Sequence, residues 1–89
     1  MEVIDLQTFL KDGMFRETVF REAIQKYSWD QYAGKPVVIQ GCGEIELPTW
    51  SYLCVVAELI PYASRIFYGE PRRPIPIWKK PGEPAETNT

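Results

Sequence analysis

The residues best suited to chemistry lie in one short stretch, residues 41–46, which reads Gly-Cys-Gly-Glu-Ile-Glu. Glycines on either side of Cys42 permit a sharp turn. A thiol between a strand and a helix lies where open α/β sheets bind ligands. The helix dipole favours a thiolate that is close to it, whereas Glu44 and Glu46 disfavour one. The pattern predicts a turn cysteine, a nucleophile, or a contact to sulfur, a metal or an iron–sulfur cluster through Cys42, Glu44 and Glu46.

The absence of histidine narrows these possibilities. Histidine is the usual general base and the commonest metal ligand, so neither an activated thiol nor a zinc site within one chain is well supported. Cys42 and Cys54 are too few for a disulfide framework and form no CxxC motif. We expect Cys54 to pack inside a helix. We predict no catalytic residue, no resident metal and no cofactor, although a metal site shared across a dimer axis stays open.

A second cluster combines basic residues with an aromatic one near the C-terminus, at Arg72, Arg73, Trp78, Lys79 and Lys80. Such a segment can protect a strand edge, contact a protein or bind single-stranded nucleic acid. Because the chain carries a net charge of −2, it has no overall basic field, and we do not expect nucleic acid as its partner.

The N-terminal elements that position these residues are predicted to be helical. Asp5 can cap a short helix over residues 6–12. A second helix spans residues 17–27, where apolar residues recur at helical spacing. Trp29 and Tyr32 follow in a turn, and we expect them to fold back over the edge of the core, with a ligand or partner contact as the alternative.

A strand–helix–strand unit follows, and it predicts an α/β fold. Residues 36–41 contain consecutive β-branched side chains, which indicates burial on both faces and a parallel neighbour. Pro48 opens a helix to about Ile60, and its predicted buried stripe is Trp50, Leu53, Val56, Ala57 and Ile60. Residues 65–69 form the next strand, reached by a right-handed crossover. Because two strands make no stable sheet, a C-terminal strand near residues 74–78 or a second chain should complete it.

The chain as a whole predicts one domain over residues 1–80 and a flexible, proline-rich tail over residues 81–89. Its first residues lack the pattern of a signal peptide, and its longest apolar run, residues 52–57, is too short to span a membrane. We therefore expect a cytoplasmic protein with reduced thiols and no membrane partner.

Several separated blocks resemble the bacterial family known as domain of unknown function 2480. These blocks are FREAIQKYSWDQYAGKPVVI, PTWSY, IPYASRIFYGEP and PIPIWKK, in order over residues 4–80. The resemblance implies a single copy of a repeat that longer members carry twice, and hence a chain that pairs with itself. It implies no enzyme activity, and only a loose association with genes for iron–sulfur cluster assembly. Arg72 stands where longer members often have a cysteine.

These observations predict a small, non-catalytic interaction or accessory module that forms a homodimer or docks in a larger assembly. The predicted partner surface comprises Trp50, Tyr68, Arg72, Arg73 and Trp78. The alternative is a protein that handles sulfur, a metal or an iron–sulfur cluster through Cys42.

Overall fold

The fold is a mixed four-stranded sheet with helices, seen in a computed structural model that describes residues 1–41, 43 and 45–82. Strands β1 (Glu2–Asp5), β2 (Pro36–Gln40), β3 (Arg65–Glu70) and β4 (Arg73–Lys79) lie side by side in that order. The first three are parallel, and β4 is antiparallel to β3. The α/β prediction is confirmed, and a C-terminal strand of the same chain extends the sheet.

The helical elements share one core with the sheet. Two α-helices, α1 (Glu17–Lys26) and α2 (Thr49–Leu59), alternate with 3-10 segments at Leu6–Phe9 and Trp29–Tyr32. Each of the four contributes buried side chains to a single cluster that also contains residues of β1, β2 and β3. The predicted helix at residues 17–27 is therefore confirmed to within one residue.

The prediction for the N-terminus is wrong. Residues 2–5 form a strand, and the predicted helix over residues 6–12 is only a 3-10 turn over residues 6–9. Asp5 does act as its cap, because its Oδ1 accepts a hydrogen bond from the Gln7 N–H at 2.9 Å. Leu6 and Phe9 lie three residues apart, a spacing that serves a 3-10 turn as well as an α-helix, so the sequence pattern does not separate the two.

The predicted buried stripe of α2 is wrong for three of its five residues: Leu53, Ala57 and Ile60 are exposed, whereas Trp50 and Val56 are half-buried against the core. The helix buries Ser51, Val55 and Leu59, whereas Leu53 is 62% exposed and Ile60, just beyond the helix, is 40% exposed. Because α2 is apolar on most of its circumference, its sequence does not indicate which face meets the sheet. The Ser51 hydroxyl lies on the buried face and donates to the Pro48 carbonyl at 2.7 Å.

The aromatic turn after α1 closes one edge of the core, as predicted. Trp29 and Tyr32 are both buried, and the Trp29 Nε1–H donates to the Ile24 carbonyl at 2.8 Å. The hydroxyls of Tyr27 and Tyr32 are hydrogen-bonded at 2.5 Å. Burial, reinforced by this hydrogen bond, raises the pKa of Tyr32 above its ordinary value.

Two further predictions concern the ends of the chain and membranes. Most of the predicted tail, residues 83–89, lies outside the described residues. Among the helices of the described part, none is both long enough and apolar enough to cross a membrane.

Candidate protein interface

The feature that stands out is the face of the sheet that points away from the helices. Side chains alternate along a strand, so Val37 and Ile39 point towards the core and Val38 points the opposite way. Val37 and Ile39 belong to the core cluster, whereas Val38 is 0% exposed and does not belong to it. The centre of β2 is therefore apolar on both sides.

Neighbouring strands extend this apolar surface. The strand register places Val3 of β1 and Phe67 of β3 on either side of Val38. Phe67 in turn pairs with Pro76 of β4, and Ile77 lies at the register shift beside it. We call this side of the sheet the open face; Val38 at its centre is fully buried, and its solvent-exposed apolar residues are Val3, Pro76 and Ile77. Val3 is 45% exposed and Ile77 is 47% exposed, so much of their apolar area meets solvent.

The described helices all lie on the other side of the sheet. Their buried residues join the core cluster with Val37 and Ile39, and the ring of Phe20 in α1 lies 5.7 Å from that of Trp50 in α2. Parallel strands are normally covered on both faces. A groove of about 550 Å³ lies over β3 and β4 and is lined by Arg65, Phe67, Pro76, Ile77, Trp78 and Lys79.

Charges of opposite sign lie at opposite corners of the open face. Asp5 is the last residue of β1, at one outer corner of the sheet. Arg65 begins β3 and pairs with Lys79 near the end of β4, at the diagonally opposite corner. Alternation along each strand places these three residues on the same side as Val38 and Phe67. The apolar centre is thus bordered by one acidic and one basic corner.

The edge of the sheet at β4 is poorly suited to pairing. β4 is an outer strand, and two of its seven residues, Pro74 and Pro76, have no N–H to donate to a further strand. Proline on an edge strand is a common protection against edge-to-edge association. Pairing of a further strand along the β4 edge is therefore unfavourable.

A separate cleft lies where β2 and β3 end. It measures about 350 Å³ and is lined by Gln40, Gly41, Gly43, Ile45, Tyr52, Tyr68, Gly69 and Glu70. The rings of Tyr52 and Tyr68 meet edge to face at 5.4 Å. A Cβ added to Gly41 would lie 2.5 Å from the Tyr52 hydroxyl oxygen, so only glycine at position 41 allows this approach. The lining offers phenol, amide and carboxylate groups at the end of the sheet where α/β proteins bind ligands.

The predicted thiol site is only partly visible. Cys42 and Glu44 lie outside the described residues, and Glu46 is exposed in the loop before α2. Cys54 is half-buried against the core, as predicted. Among residues 1–41, 43 and 45–82, no group of three or more potential metal-binding side chains comes together.

The five residues predicted as a partner surface do not form one patch. Trp50, the second residue of α2, is half-buried against two phenylalanine rings. Tyr68 is 41% exposed on the helix side of β3 and lines the cleft. Arg72 and Arg73 are exposed at the turn between β3 and β4. Trp78, near the far end of β4, is half-buried against the core and borders the groove over β3 and β4.

Sequence reasoning missed the residues that form most of the open face, above all Val3, Phe67 and Ile77. One signal did point to it: the apolar residues 37–39 follow one another without alternation, which indicated burial on both faces. Joining Val38 to its neighbours requires the register of β1, a strand that the sequence did not reveal.

Comparison with known families identifies the family to which the chain belongs. Residues 11–80, most of its length, match the family described as protein of unknown function (DUF2480). The chain belongs to this family. Comparison with curated proteins and with solved structures gave no significant match. The family resemblance seen in the sequence is therefore confirmed.

Proposed function

We propose that this member of the DUF2480 family is a non-catalytic interaction or accessory module, which associates with itself or docks in a larger protein assembly through the open face. The observation that carries the proposal is the exposed apolar surface of Val3, Pro76 and Ile77, with half-buried Phe67 between them, on the side of the sheet opposite the helices. Apolar patches that are bordered by charges are typical of protein interfaces.

The apolar area that the open face leaves exposed sets the free energy that a partner gains by covering it. Complete burial of a valine or isoleucine side chain contributes roughly 1.5–3 kcal/mol. Val3 and Ile77 each keep nearly half of their area in solvent, so covering both contributes on the order of 1 kcal/mol per residue. Pro76 is also exposed and adds to this gain. Burial of this apolar area favours binding of a partner over the open face.

The test is photo-crosslinking in cells. A photoreactive amino acid replaces Ile77 in one variant and Gln25, an exposed residue of α1 on the opposite side of the molecule, in the control. A crosslink from position 77 to a defined protein, either this chain or another, supports the proposal when position 25 gives none. If position 77 gives no adduct, or both positions give the same set, the open face is not an interface.

The setting proposed for this module is the cytoplasm, with protein partners rather than membranes or nucleic acid. The net charge of −2 supports the exclusion of nucleic acid. For the scaffold we propose right-handed connections from β1 to β2 and from β2 to β3, the hand that parallel strands adopt in about 98% of cases.

The second candidate function is sulfur, metal or cluster handling through Cys42. It is favoured by one observation: Gly41 and Gly43, which flank Cys42 in the sequence, both line the cleft at the ends of β2 and β3. A native mass spectrum of protein prepared without oxygen tests it. Added mass from iron, zinc or sulfur that disappears in Cys42→Ser supports this function, and a bare protein mass contradicts it.

A further inference from the structure

We propose that the cleft at the ends of β2 and β3 binds a free α-amino acid that has an apolar or aromatic side chain. The residues that carry this inference are Glu70, Arg72, Tyr52 and Tyr68, which line two adjoining recesses. The inference goes beyond the proposed function, because it uses neither the open face nor Cys42.

Two recesses meet at this end of the sheet. The cleft and a second recess, lined by Gln40, Glu70, Pro71 and Arg72, each measure about 350 Å³. Gln40 and Glu70 line both of them, so the two volumes adjoin. Small-molecule sites commonly occupy about 300–1,000 Å³, and open α/β sheets bind ligands beyond the carboxyl ends of their parallel strands. The pair of recesses therefore has the size and the position of a small-molecule site.

Glycines keep the cleft open. Gly41, Gly43 and Gly69 are among its lining residues and contribute only backbone atoms to it. At Gly69 φ is 111°, a conformation that residues with a side chain rarely adopt. At position 41 a Cβ would meet the Tyr52 hydroxyl. The chain thus keeps side chains out of the space that a ligand would fill.

The second recess supplies charges of both signs. Glu70 and Arg72 are exposed where β3 turns into β4, and both line this recess. Neither forms a salt bridge with another described residue, including Arg73, the cross-strand partner of Glu70. A carboxylate accepts hydrogen bonds from an ammonium group, and a guanidinium binds a carboxylate through two parallel hydrogen bonds. Because an α-amino acid carries both groups on one carbon atom, it can pair with both residues.

The cleft supplies a surface for the side chain of the amino acid. The rings of Tyr52 and Tyr68 meet edge to face at 5.4 Å, and Tyr68 is 41% exposed. Ile45 is half-buried and lines the same cleft. Burial against aromatic rings favours an apolar or aromatic group. Because Glu70 borders both recesses, an ammonium group bound to it directs the side chain into the cleft and the carboxylate towards Arg72.

A free amino acid fits these residues better than a chain terminus or an ion does. The N-terminus of a peptide offers only an ammonium group and its C-terminus only a carboxylate, so each leaves Glu70 or Arg72 without a partner. An inorganic anion beside Arg72 would be repelled by the carboxylate of Glu70. For a metal ion the ligands are too few, because no three potential metal-binding side chains come together in the described part of the chain.

The test is a titration of the isotope-labelled chain with L-phenylalanine or L-leucine, followed by NMR. The backbone amide signals of Gly41, Gly43 and Gly69 report binding, because these residues line the cleft. Gly13 and Gly34 line neither recess, so their signals serve as internal controls. An amino acid of about 12 heavy atoms in an open recess should bind with a Kd on the order of 0.1–1 mM.

Two derivatives of phenylalanine separate the roles of the two charges. Phenylalanine amide lacks the carboxylate and N-acetylphenylalanine lacks the ammonium group, so each should bind about three- to tenfold more weakly than phenylalanine. Arg72→Gln should weaken phenylalanine by the same factor and leave the affinity for the amide unchanged. Glu70→Gln should act in the same way, with the N-acetyl derivative unchanged. Arg16→Gln and Glu22→Gln remove the same charges from exposed positions at α1 and should change no affinity.

Three outcomes overturn the inference. One is the absence of saturable shifts at Gly41, Gly43 and Gly69 with both amino acids up to about 20 mM. Another is a derivative that binds as tightly as phenylalanine, which would make the ligand a chain terminus. The third is an equal effect of the recess variants and the control variants, which would indicate charge attraction without a site. The crosslink expected from position 77 is independent of all three, so the proposed function is tested separately.

Discussion

The orientation of α2 leads to a quantitative prediction about two leucines on one helix. Leu59 is 0% exposed against the sheet, whereas Leu53 is 62% exposed. Replacing a fully buried leucine by alanine costs about 2–5 kcal/mol, the sum of lost burial and the cavity left behind. Substitution of an exposed residue usually changes stability by less than about 0.5 kcal/mol. Leu59→Ala should therefore destabilise the fold several times more than Leu53→Ala.

Urea unfolding measures this difference. A small domain has a slope of about 1–1.5 kcal/mol per molar urea, so a loss of about 3 kcal/mol lowers the midpoint by about 2–3 M. A domain of this size has only about 4–13 kcal/mol in total, and Leu59→Ala can fall below the limit of folding. Val55→Ala then replaces it, because Val55 is also 0% exposed and loses two methyl groups, or about 2 kcal/mol with its cavity.

The control and the refuting result follow from the same geometry. Because Leu53 lies on an outer surface that can contact a partner, each curve is measured at two protein concentrations, so that loss of association is not mistaken for loss of folding. Equal midpoints for the two leucine variants would refute the orientation of α2. A larger loss for Leu53→Ala would restore the face that the sequence pattern predicted.

Three further predictions concern the aromatic edge and the cleft. The free energy of unfolding of the wild type should fall by up to about 1.4 kcal/mol per pH unit above pH 10. The reason is that the raised pKa of Tyr32 keeps the phenol protonated in the folded state after the unfolded phenol has lost its proton. Urea curves at pH 9 and 11 measure this loss, and Tyr32→Phe should not show it. Trp29→Phe should cost about 1–3 kcal/mol, because a buried carbonyl of α1 loses its donor; a urea midpoint equal to that of the wild type would contradict this. Gly41→Ala should destabilise by about 0.5–1.5 kcal/mol, because the Tyr52 side chain must move away from its present position. A double-mutant cycle with Tyr52→Phe should relieve most of that cost, and additive effects would contradict the contact.

The parts of the fold that sequence reasoning predicted are those with a strong local signal. The helix at residues 17–26 has a clear apolar stripe, and its buried residues Phe20 and Ile24 are members of that stripe. β2 is marked by its β-branched run and β3 by its position after α2. In these elements the local pattern and the tertiary environment favour the same structure.

The parts that sequence reasoning missed are defined by partners that are distant in the chain. β1 has four residues, two of them acidic, and its strand character depends on parallel pairing with β2, more than thirty residues away. The direction that α2 faces depends on where the sheet and α1 lie, because the helix has apolar side chains on nearly every side. Local propensity does not encode either of these long-range contacts.

The same reasoning explains why the sequence predicted only part of the candidate interface. A run of apolar residues at 37–39 shows that both sides of β2 are apolar, but it does not say which of its neighbours lie beside it. The register supplies Val3 and Phe67 on one side and the core on the other. The described helices cover only the core side, and the prolines of β4 make edge pairing unfavourable. The proposal of an interface on this face therefore rests on residues that only the register brings together, Val3 from β1 and Ile77 from β4.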